Sequence, residues 1–301
     1  MFEVSIPVGG GAVLAATLSV PDRVPAPVII GVHGASGGTR DHPLLSDLHP
    51  LLPPAGFGVL TFDRRGEGAS TGEPSVGDFE TQAEDVREVA SWLRALPSTA
   101  TAGAFGFSQG AWVAPLALRR AHLGFLILVA ACGVTPAAQM RFGVSAHLRR
   151  AGYDEQAVEQ ASAARKLVEA HAHDQVAGEE VANALAAAAL RPWWELAYLP
   201  EKPFDEHERA EWCREMDFDP EPSIAAVNVP TLLLYGTDDL WLPVDESLAT
   251  WRRHHEDVSV LLIQGASHGL SRNGQTAPEV YDAVLTWLAQ LPVHSDIPRG
   301  P

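Results

Sequence analysis

The segment "GAFGFSQGAW" (residues 103–112) places a single serine, Ser108, between Gly106 and Gly110. An apolar run typical of a strand precedes the serine, and a stretch of helical composition follows it. A G-x-S-x-G pattern is weak evidence by itself. Between a strand and a helix, however, it predicts a sharp turn that lifts the serine hydroxyl above the sheet edge, because larger side chains would collide with the reversing backbone. Ser108 is therefore a candidate nucleophile, with a plain Gly-Ser turn as the alternative.

The rest of the chain alternates strand-like and helix-like segments around this turn. Residues 2–7 and 12–20, joined across three glycines, predict a hairpin. Continuous apolar runs, typical of strands buried on both faces, lie at residues 27–34, 56–63, 124–132, 229–236 and 258–265. Helical periodicity or composition marks residues 79–96, 112–121, 245–255 and 278–291. The alternation predicts an α/β fold with a mostly parallel, twisted sheet and helices on both faces.

One interval is too long for a simple crossover. About a hundred residues separate the apolar run at 124–132 from the next one, where a dozen or more would suffice. The excess is rich in alanine and charge, which predicts an inserted helical cap over residues 134–222 between two core segments, 1–133 and 223–291. Residues 292–301 are predicted to be a flexible tail. The aromatic residues expected to line a substrate pocket, the cap's own core being the alternative for those in the insertion, are Trp193, Trp194, Tyr198 and Trp241.

A nucleophilic serine needs a general base, and the base needs an acid that orients it. After a strand–turn–helix nucleophile the expected chain order is serine, acid, histidine, on loops that follow later strands. His268 directly follows the apolar run at 258–265, and Asp238 and Asp239 follow the run at 229–236. These positions predict His268 as the base, with an ordinary surface histidine as the alternative, and they leave either aspartate as the acid.

Several separated motifs resemble the α/β-hydrolase superfamily over residues 28–291. The opening hairpin and the "SQGAWVAPLAL" stretch are most similar to its dienelactone-hydrolase and prolyl-oligopeptidase-like branch, which includes bacterial esterases. In this superfamily the strand before the acid commonly ends G-x-x-D, with a proline four residues later. Gly236, Asp239 and Pro243 match that spacing. The resemblance therefore favours Asp239 over Asp238.

The same resemblance implies an oxyanion hole. "HGASGG" (33–38) looks like the superfamily's oxyanion loop, in which the backbone N–H of Ala35 would join that of Gln109 to hold a developing negative oxygen. "FDRRGEGASTGE" (62–73) resembles a D-x-R-G-x-G-x-S stretch that is usually structural. No catalytic role is therefore expected for Asp63, Arg65 or Ser70.

Composition limits the partners. Among 301 residues there are 21 Lys and Arg against 38 Asp and Glu, a net charge of −17 that would repel nucleic acid and anionic membranes. No signal-like or membrane-spanning segment is recognisable and only two cysteines occur, so a cytoplasmic location is expected. His171 and His173 would point in different directions on a helix, so no metal site is predicted. No phosphate or dinucleotide loop is found, and no cofactor is expected.

Together these features predict a cofactor-independent serine hydrolase of the α/β-hydrolase fold, in which Ser108, Asp239 and His268 form a catalytic triad. The expected partner is a small-molecule ester of a small or medium, partly apolar acid, because the pocket would lie under an aromatic cap. A thioesterase or acyltransferase, or a peptidase for short peptides, would use the same triad. A ligand-binding protein without turnover is the alternative from another class. The acyl and leaving groups stay open, as does the oligomeric state, a homodimer included.

Overall fold

The computed structural model describes residues 1–291 of the chain. The flexible tail predicted for residues 292–301 lies outside the described residues.

The strands form one large mixed sheet and one small ribbon. In chain order they are β1 (Phe2–Pro7), β2 (Val13–Ser19), β3 (Ala26–Val32), β4 (Gly58–Phe62), β5 (Thr99–Phe107), β6 (Leu123–Val129), β7 (Thr231–Gly236), β8 (Ser259–Ile263), β9 (Ser271–Arg272) and β10 (Gln275–Thr276). The large sheet has the order β1-β2-β4-β3-β5-β6-β7-β8, and β9 pairs with β10. β2 is antiparallel to both β1 and β4, and every later pairing in the large sheet is parallel.

The helices divide between the sheet and the insertion. In chain order they are α1 (Pro43–Ser46), α2 (Leu48–Leu51), α3 (Phe79–Arg94), α4 (Gly110–Leu118), α5 (Pro136–Arg150), α6 (Glu155–Ala172), α7 (Gly178–Ala189), α8 (Trp194–Ala197), α9 (Glu206–Met216), α10 (Glu221–Ala225), α11 (Val244–His254) and α12 (Pro278–Leu288). Helices α3 and α4 pack against each other and against β5, and α12 contacts β8. Every residue of β3, β4 and β7 is buried, as expected for strands covered on both faces.

The inserted segment forms a helical layer with an interior of its own. Helix α6 lies between α5 and α7, and it also contacts α8 and α9. The insertion holds two small apolar clusters, one around Val144 and Leu148 and one around Val181 and Leu185, separate from the main core. Helix α10 runs across the predicted boundary between residues 222 and 223 and packs on α4 and α11.

The predicted fold class is confirmed: the sheet is mostly parallel and its strands alternate with helices. The predicted strands and helices all have counterparts, with ends that differ by a few residues. The helix after the candidate nucleophile, for example, begins at Gly110 instead of residue 112. Within residues 1–291, none of the helices combines the length and apolarity that crossing a membrane requires.

Candidate active site

Ser108 stands at the tip of a tight turn between β5 and α4. Its φ of 53° lies in the left-handed region, which is uncommon for a residue with a side chain. A Cβ on Gly106 would lie 2.4 Å from the carbonyl oxygen of Gly110, and a Cβ on Gly110 would lie 2.3 Å from that of Val32. Both positions therefore require glycine. The close-packed turn holds the serine at the carboxyl ends of the parallel strands, which is called the carboxyl edge of the sheet below. Backbone strain of this kind is concentrated at functional sites.

Two loops at the same edge bring a histidine and an aspartate to this serine. Ser108 Oγ lies 2.8 Å from His268 Nε2, and His268 Nδ1 lies 2.7 Å from Asp239 Oδ2. Because an ionised carboxylate only accepts hydrogen bonds, Nδ1–H donates to Asp239 and Nε2 is left to accept the serine proton. Gly236 allows the two loops to touch, since a Cβ there would lie 2.2 Å from the carbonyl oxygen of Ala266.

The two adjacent aspartates have opposite surroundings. The Asp239 side chain is 0% exposed, and its Oδ1 accepts the backbone N–H groups of Trp241 at 2.8 Å and Leu242 at 3.1 Å. The Asp238 side chain is 54% exposed, and Arg150 lies 3.8 Å away. It is therefore Asp239, and not its neighbour, that contacts the histidine and is held rigidly enough to orient it.

The two predicted oxyanion donors lie beside the serine. Ala35 follows β3, and the preceding Gly34 comes so close that a Cβ on it would lie 3.5 Å from the Ser108 Cβ. Gln109 follows Ser108 directly, and its side-chain Oε1 accepts a hydrogen bond from Gln82 Nε2 at 3.2 Å. In the part of the chain that the structure describes, neither the Ala35 N–H nor the Gln109 N–H donates to a protein acceptor. Among the described residues, both N–H groups are therefore left without a protein acceptor.

Gln82 is a supporting residue that the sequence interpretation missed. It is 6% exposed, and besides Gln109 its Nε2 donates to the carbonyl oxygens of Ser75 and Val76 at 2.9 Å. It therefore ties the residue after Ser108 to helix α3 and to the loop before that helix. The available signal was a polar residue on the otherwise apolar face of a predicted amphipathic helix.

Two of the predicted pocket aromatics belong to the packing of the cap. Trp193 is 3% exposed and lies in the cluster formed with Val144 and Leu148. Trp194 is partly buried, and it packs against that cluster and against the second one around Val181. Their predicted part in a substrate pocket stays a prediction.

The other two, Tyr198 and Trp241, meet where the cap lies on the loop that carries Asp239. Their ring centroids are 5.0 Å apart in an edge-to-face arrangement. The Trp241 ring also lies 4.3 Å from that of His147 on α5. A Cβ on Gly143 would come within 2.4 Å of the Trp241 ring, so this glycine allows α5 to approach the loop. The two aromatics therefore connect the inserted helical segment to the loop that carries Asp239.

One group of side chains in the cap is compact enough to share a metal ion. The ligand atoms of His173, Cys213 and Asp217 lie within 4.8 Å of one another. These groups are already engaged with protein: His173 Nε2 lies 2.9 Å from Asp217 Oδ2, and Cys213 Sγ donates to the carbonyl oxygen of Ala172 at 3.4 Å. His171, two residues before His173, lies outside this group, and its two ring nitrogens contact the backbone carbonyls of Val176 and Phe204.

The fold and the comparisons together define the class of protein. The mixed eight-stranded sheet with a serine on a strained strand-to-helix turn is that of an α/β-hydrolase of the serine hydrolase superfamily, as the sequence predicted. The sequence model of one family, described as X-Pro dipeptidyl-peptidase (S15 family), matches residues 10–270, and the chain belongs to this family.

Individual relatives are more distant. Over 94 residues the chain is 35% identical to the lysophosphatidylserine lipase ABHD12 of Gallus gallus, a match covering 31% of this chain and 24% of that protein. The match thus spans about a quarter of the length of the curated relative. An esterase from Pyrococcus furiosus superposes with a TM-score of 0.63 at 17% identity, covering 96% of this chain and 90% of that one. Est1E from Butyrivibrio proteoclasticus, with ferulic acid bound, gives 0.63 at 17% identity, with coverages of 95% and 98%. These two likenesses show the fold.

Proposed function

We propose that this protein is a serine hydrolase that cleaves carboxylic esters through an acyl-enzyme intermediate on Ser108. The observation that carries the proposal is the continuous hydrogen-bonded chain from Ser108 Oγ through His268 to the buried carboxylate of Asp239. The strained turn under the serine and the two free N–H groups beside it support the same conclusion.

Acylation would begin with attack of Ser108 Oγ on the ester carbonyl carbon while His268 Nε2 takes the hydroxyl proton. The Asp239 carboxylate would stabilise the imidazolium that forms. The carbonyl oxygen becomes negatively charged in the tetrahedral intermediate, and the N–H groups of Ala35 and Gln109 would donate to it. Collapse of the intermediate breaks the ester C–O bond, and the imidazolium returns its proton to the departing alcohol.

Deacylation would repeat these steps with water in place of the serine. His268 would take a proton from the water as its oxygen attacks the acyl carbon, and the same two N–H groups would hold the second oxyanion. Breakage of the bond to Ser108 then releases the carboxylic acid and restores the serine hydroxyl. Each proton is carried by His268, so this sequence of steps needs no cofactor.

The proposed substrate is an ester of a small or medium, partly apolar acid. The aromatic contact between Tyr198 and Trp241 supports this choice because it offers apolar surface on the loop that carries Asp239. The structural neighbours that are esterases are consistent with it.

A peptidase acting on short peptides is the second candidate, and the family description is the observation that favours it. Both reactions pass through an acyl-enzyme and would use the same triad. They differ in the leaving group, because an amine departs only after protonation whereas an activated alcohol leaves more readily.

A labelling experiment and a substrate panel would test the proposal. The wild type should take up one fluorophosphonate group, detected by intact mass, and Ser108→Ala should take up none. Among p-nitrophenyl acetate, butyrate and octanoate, a butyryl thioester and an Ala-Pro p-nitroanilide, the p-nitrophenyl esters of short or medium acids should give the highest kcat/KM. A higher kcat/KM on the anilide would favour the peptidase. Neither label nor turnover would mean a ligand-binding protein.

A further inference from the structure

A buried arginine lies directly beneath the loop that contains the proposed oxyanion donor Ala35. Arg64 follows strand β4, and its side chain is 2% exposed. Its Nη2 donates to the carbonyl oxygen of Gly34 at 2.5 Å, and its Nη1 donates to that of Ala35 at 3.3 Å. One guanidinium thus holds two successive carbonyl groups of the loop.

The first of these carbonyls shares a peptide group with the oxyanion donor. The Gly34 C=O and the Ala35 N–H belong to one trans peptide, so they lie in its plane and point in opposite directions. We infer that Arg64 is a positioning residue: by holding the Gly34 carbonyl on the buried side of the loop, it directs the Ala35 N–H towards Ser108. This inference rests on the proposed function, because it assigns Arg64 a part in stabilising the oxyanion.

Besides orienting the Gly34–Ala35 peptide, Arg64 polarises it through its positive charge. A hydrogen bond to the oxygen of a peptide polarises the group and strengthens its N–H as a donor, and a cationic donor does so more than a neutral one. Burial lowers the pKa of Arg64, while the carboxylates of Glu67 and Glu215 act in the opposite direction. A guanidinium stays protonated in proteins, so the positive charge is kept at this buried position.

The segment around Arg64 also fixes the far end of the same loop. The Arg64 backbone N–H donates to the carbonyl oxygen of Gly38 at 2.7 Å, and Glu67 Oε2 accepts the N–H of Gly38 at 3.1 Å. Asp63 Oδ1 accepts the N–H of Arg40 at 2.8 Å. The loop is therefore held at both ends by one stretch of chain. Among residues 1–291, the Arg64 side chain alone donates to the peptide that carries the proposed oxyanion donor.

The next residue, Arg65, provides a matched control. It is also largely buried, at 12% exposure, and it forms an ion pair with Asp85 of α3. Its Nη1 donates to the carbonyl oxygen of Gly9 at 2.9 Å, next to the opening hairpin. Replacing it removes a buried arginine of the same size and charge without touching the oxyanion loop.

The test compares Arg64→Gln, Arg64→Lys and Arg65→Gln in the full chain, with a p-nitrophenyl ester as substrate and a trifluoromethyl ketone as inhibitor. The serine oxygen adds to the ketone carbon and forms a tetrahedral adduct with a negatively charged oxygen. The affinity for the ketone therefore reports directly on the oxyanion hole. Loss of one oxyanion donor costs about 10²–10³ in kcat, and a misdirected donor should cost less. We expect Arg64→Gln to lower kcat about 10- to 100-fold and to weaken binding of the ketone by a similar factor. KM should stay within about twofold.

Arg64→Lys should lie between the wild type and Arg64→Gln, because one ammonium can hold a single carbonyl but not two. Arg65→Gln should lower the melting temperature and leave kcat and ketone affinity near wild type. If Arg64→Gln does not fold, the lysine variant alone carries the comparison.

Two results would overturn the inference. One is a loss of kcat in the Arg64 variants no larger than that of Arg65→Gln. The other is a loss of kcat while the ketone binds with full affinity. Failure of the proposed function looks different, since Ser108→Ala would then keep its activity and the wild type would take up no fluorophosphonate.

Discussion

The carboxyl edge of the sheet and the helical cap differ in how closely the backbone is packed. At the edge, Gly106, Gly110 and Gly236 each leave 2.4 Å or less between an added Cβ and a backbone oxygen. In the cap, an added Cβ on Gly143 would meet the Trp241 side chain instead of backbone, and one on Gly152 would meet nothing within 4 Å. The main core is a single large cluster that runs through the sheet, whereas the cap interior is divided into two small clusters.

The difference in packing corresponds to two requirements of an enzyme, precise geometry for catalysis and a suitable shape for substrate binding. A chain of hydrogen bonds from serine to aspartate works only while its atoms stay within a few tenths of an ångström, and close-packed backbone supplies that precision. A surface that contacts the acyl group needs the right shape, and it tolerates change more readily. We therefore expect substitutions at the edge to alter kcat, and substitutions in the cap to alter stability or the ranking of substrates.

The largest effect is expected at the nucleophile and its base. Ser108→Ala and His268→Ala should each lower kcat on p-nitrophenyl butyrate by about 10⁴-fold or more, because attack on the ester needs both the oxygen and the base. The melting temperature should stay near wild type, since neither side chain belongs to the core. A variant that kept a tenth of the wild-type activity would contradict the assignment.

The adjacent aspartates give the next largest effect. Asp239→Asn should lower kcat by about 10²–10⁴-fold, because an amide no longer holds the histidine in the tautomer that accepts from the serine. Asp238→Asn is the matched control and should change kcat little, as its side chain is 54% exposed and does not contact His268. Steady-state kinetics with the reverse order would assign the acid to Asp238.

Much of the edge could be predicted because its signals are local. A continuous apolar run marks each strand, and the residues just after the strand ends supply Ser108, Asp239 and His268. The choice between Asp238 and Asp239 needed the superfamily spacing, because both carboxylates follow the same strand. In the structure Asp239 differs from Asp238 in being buried and in accepting two backbone N–H groups. The sequence shows neither property, because the two residues are of the same type.

The features that could not be predicted from the sequence depend on contacts between distant parts of the chain. Arg64 occupies the unspecified position of the D-x-R-G pattern and acts on backbone carbonyls, which carry no side-chain signal, so nothing in the sequence singled it out. Trp193 and Trp194 are adjacent and identical in type, and only tertiary packing buries one more deeply than the other. Helix α5 is different, because a Thr135 cap followed by Pro136 in the first turn is a local sequence signal for its start.

The pH dependence of the free energy of unfolding should also differ between a histidine at the carboxyl edge and one in the cap. His33, at the start of the loop proposed to hold the oxyanion, is buried, and burial together with the nearby Arg64 charge lowers its pKa to about 3. Above pH 6.5 both folded and unfolded states are neutral at this residue. As pH falls below 6.5 only the unfolded state takes up the proton, so the wild type loses roughly 1.4 kcal/mol of stability per pH unit.

Urea unfolding at pH 7 and pH 5 would measure this loss. The free energy of unfolding of the wild type should fall by roughly 2 kcal/mol more than that of His33→Gln over this interval. His173 of the cap is the contrasting control, because its hydrogen bond to Asp217 raises its pKa. Its contribution is present at low pH and lost as pH rises through the folded pKa, so His173→Gln should show a small difference of opposite sign. Equal pH slopes for wild type and His33→Gln would show that His33 is not buried as described.

The smallest effect on activity is expected from two tryptophans that represent the two regions. Trp241→Ala removes an aromatic wall beside the Asp239 loop and keeps the backbone N–H that donates to Asp239. It should shift the ratio of kcat/KM between a long and a short p-nitrophenyl ester about tenfold towards the bulkier acid, as expected when a pocket contact is lost. Trp193→Ala instead opens a cavity in the cap cluster, so it should lower the melting temperature by several degrees and leave that ratio unchanged. Measuring both quantities on both variants separates substrate contact from packing. A shifted ratio in Trp193→Ala together with an unchanged one in Trp241→Ala would place the acyl pocket inside the cap instead of at its contact with the catalytic edge.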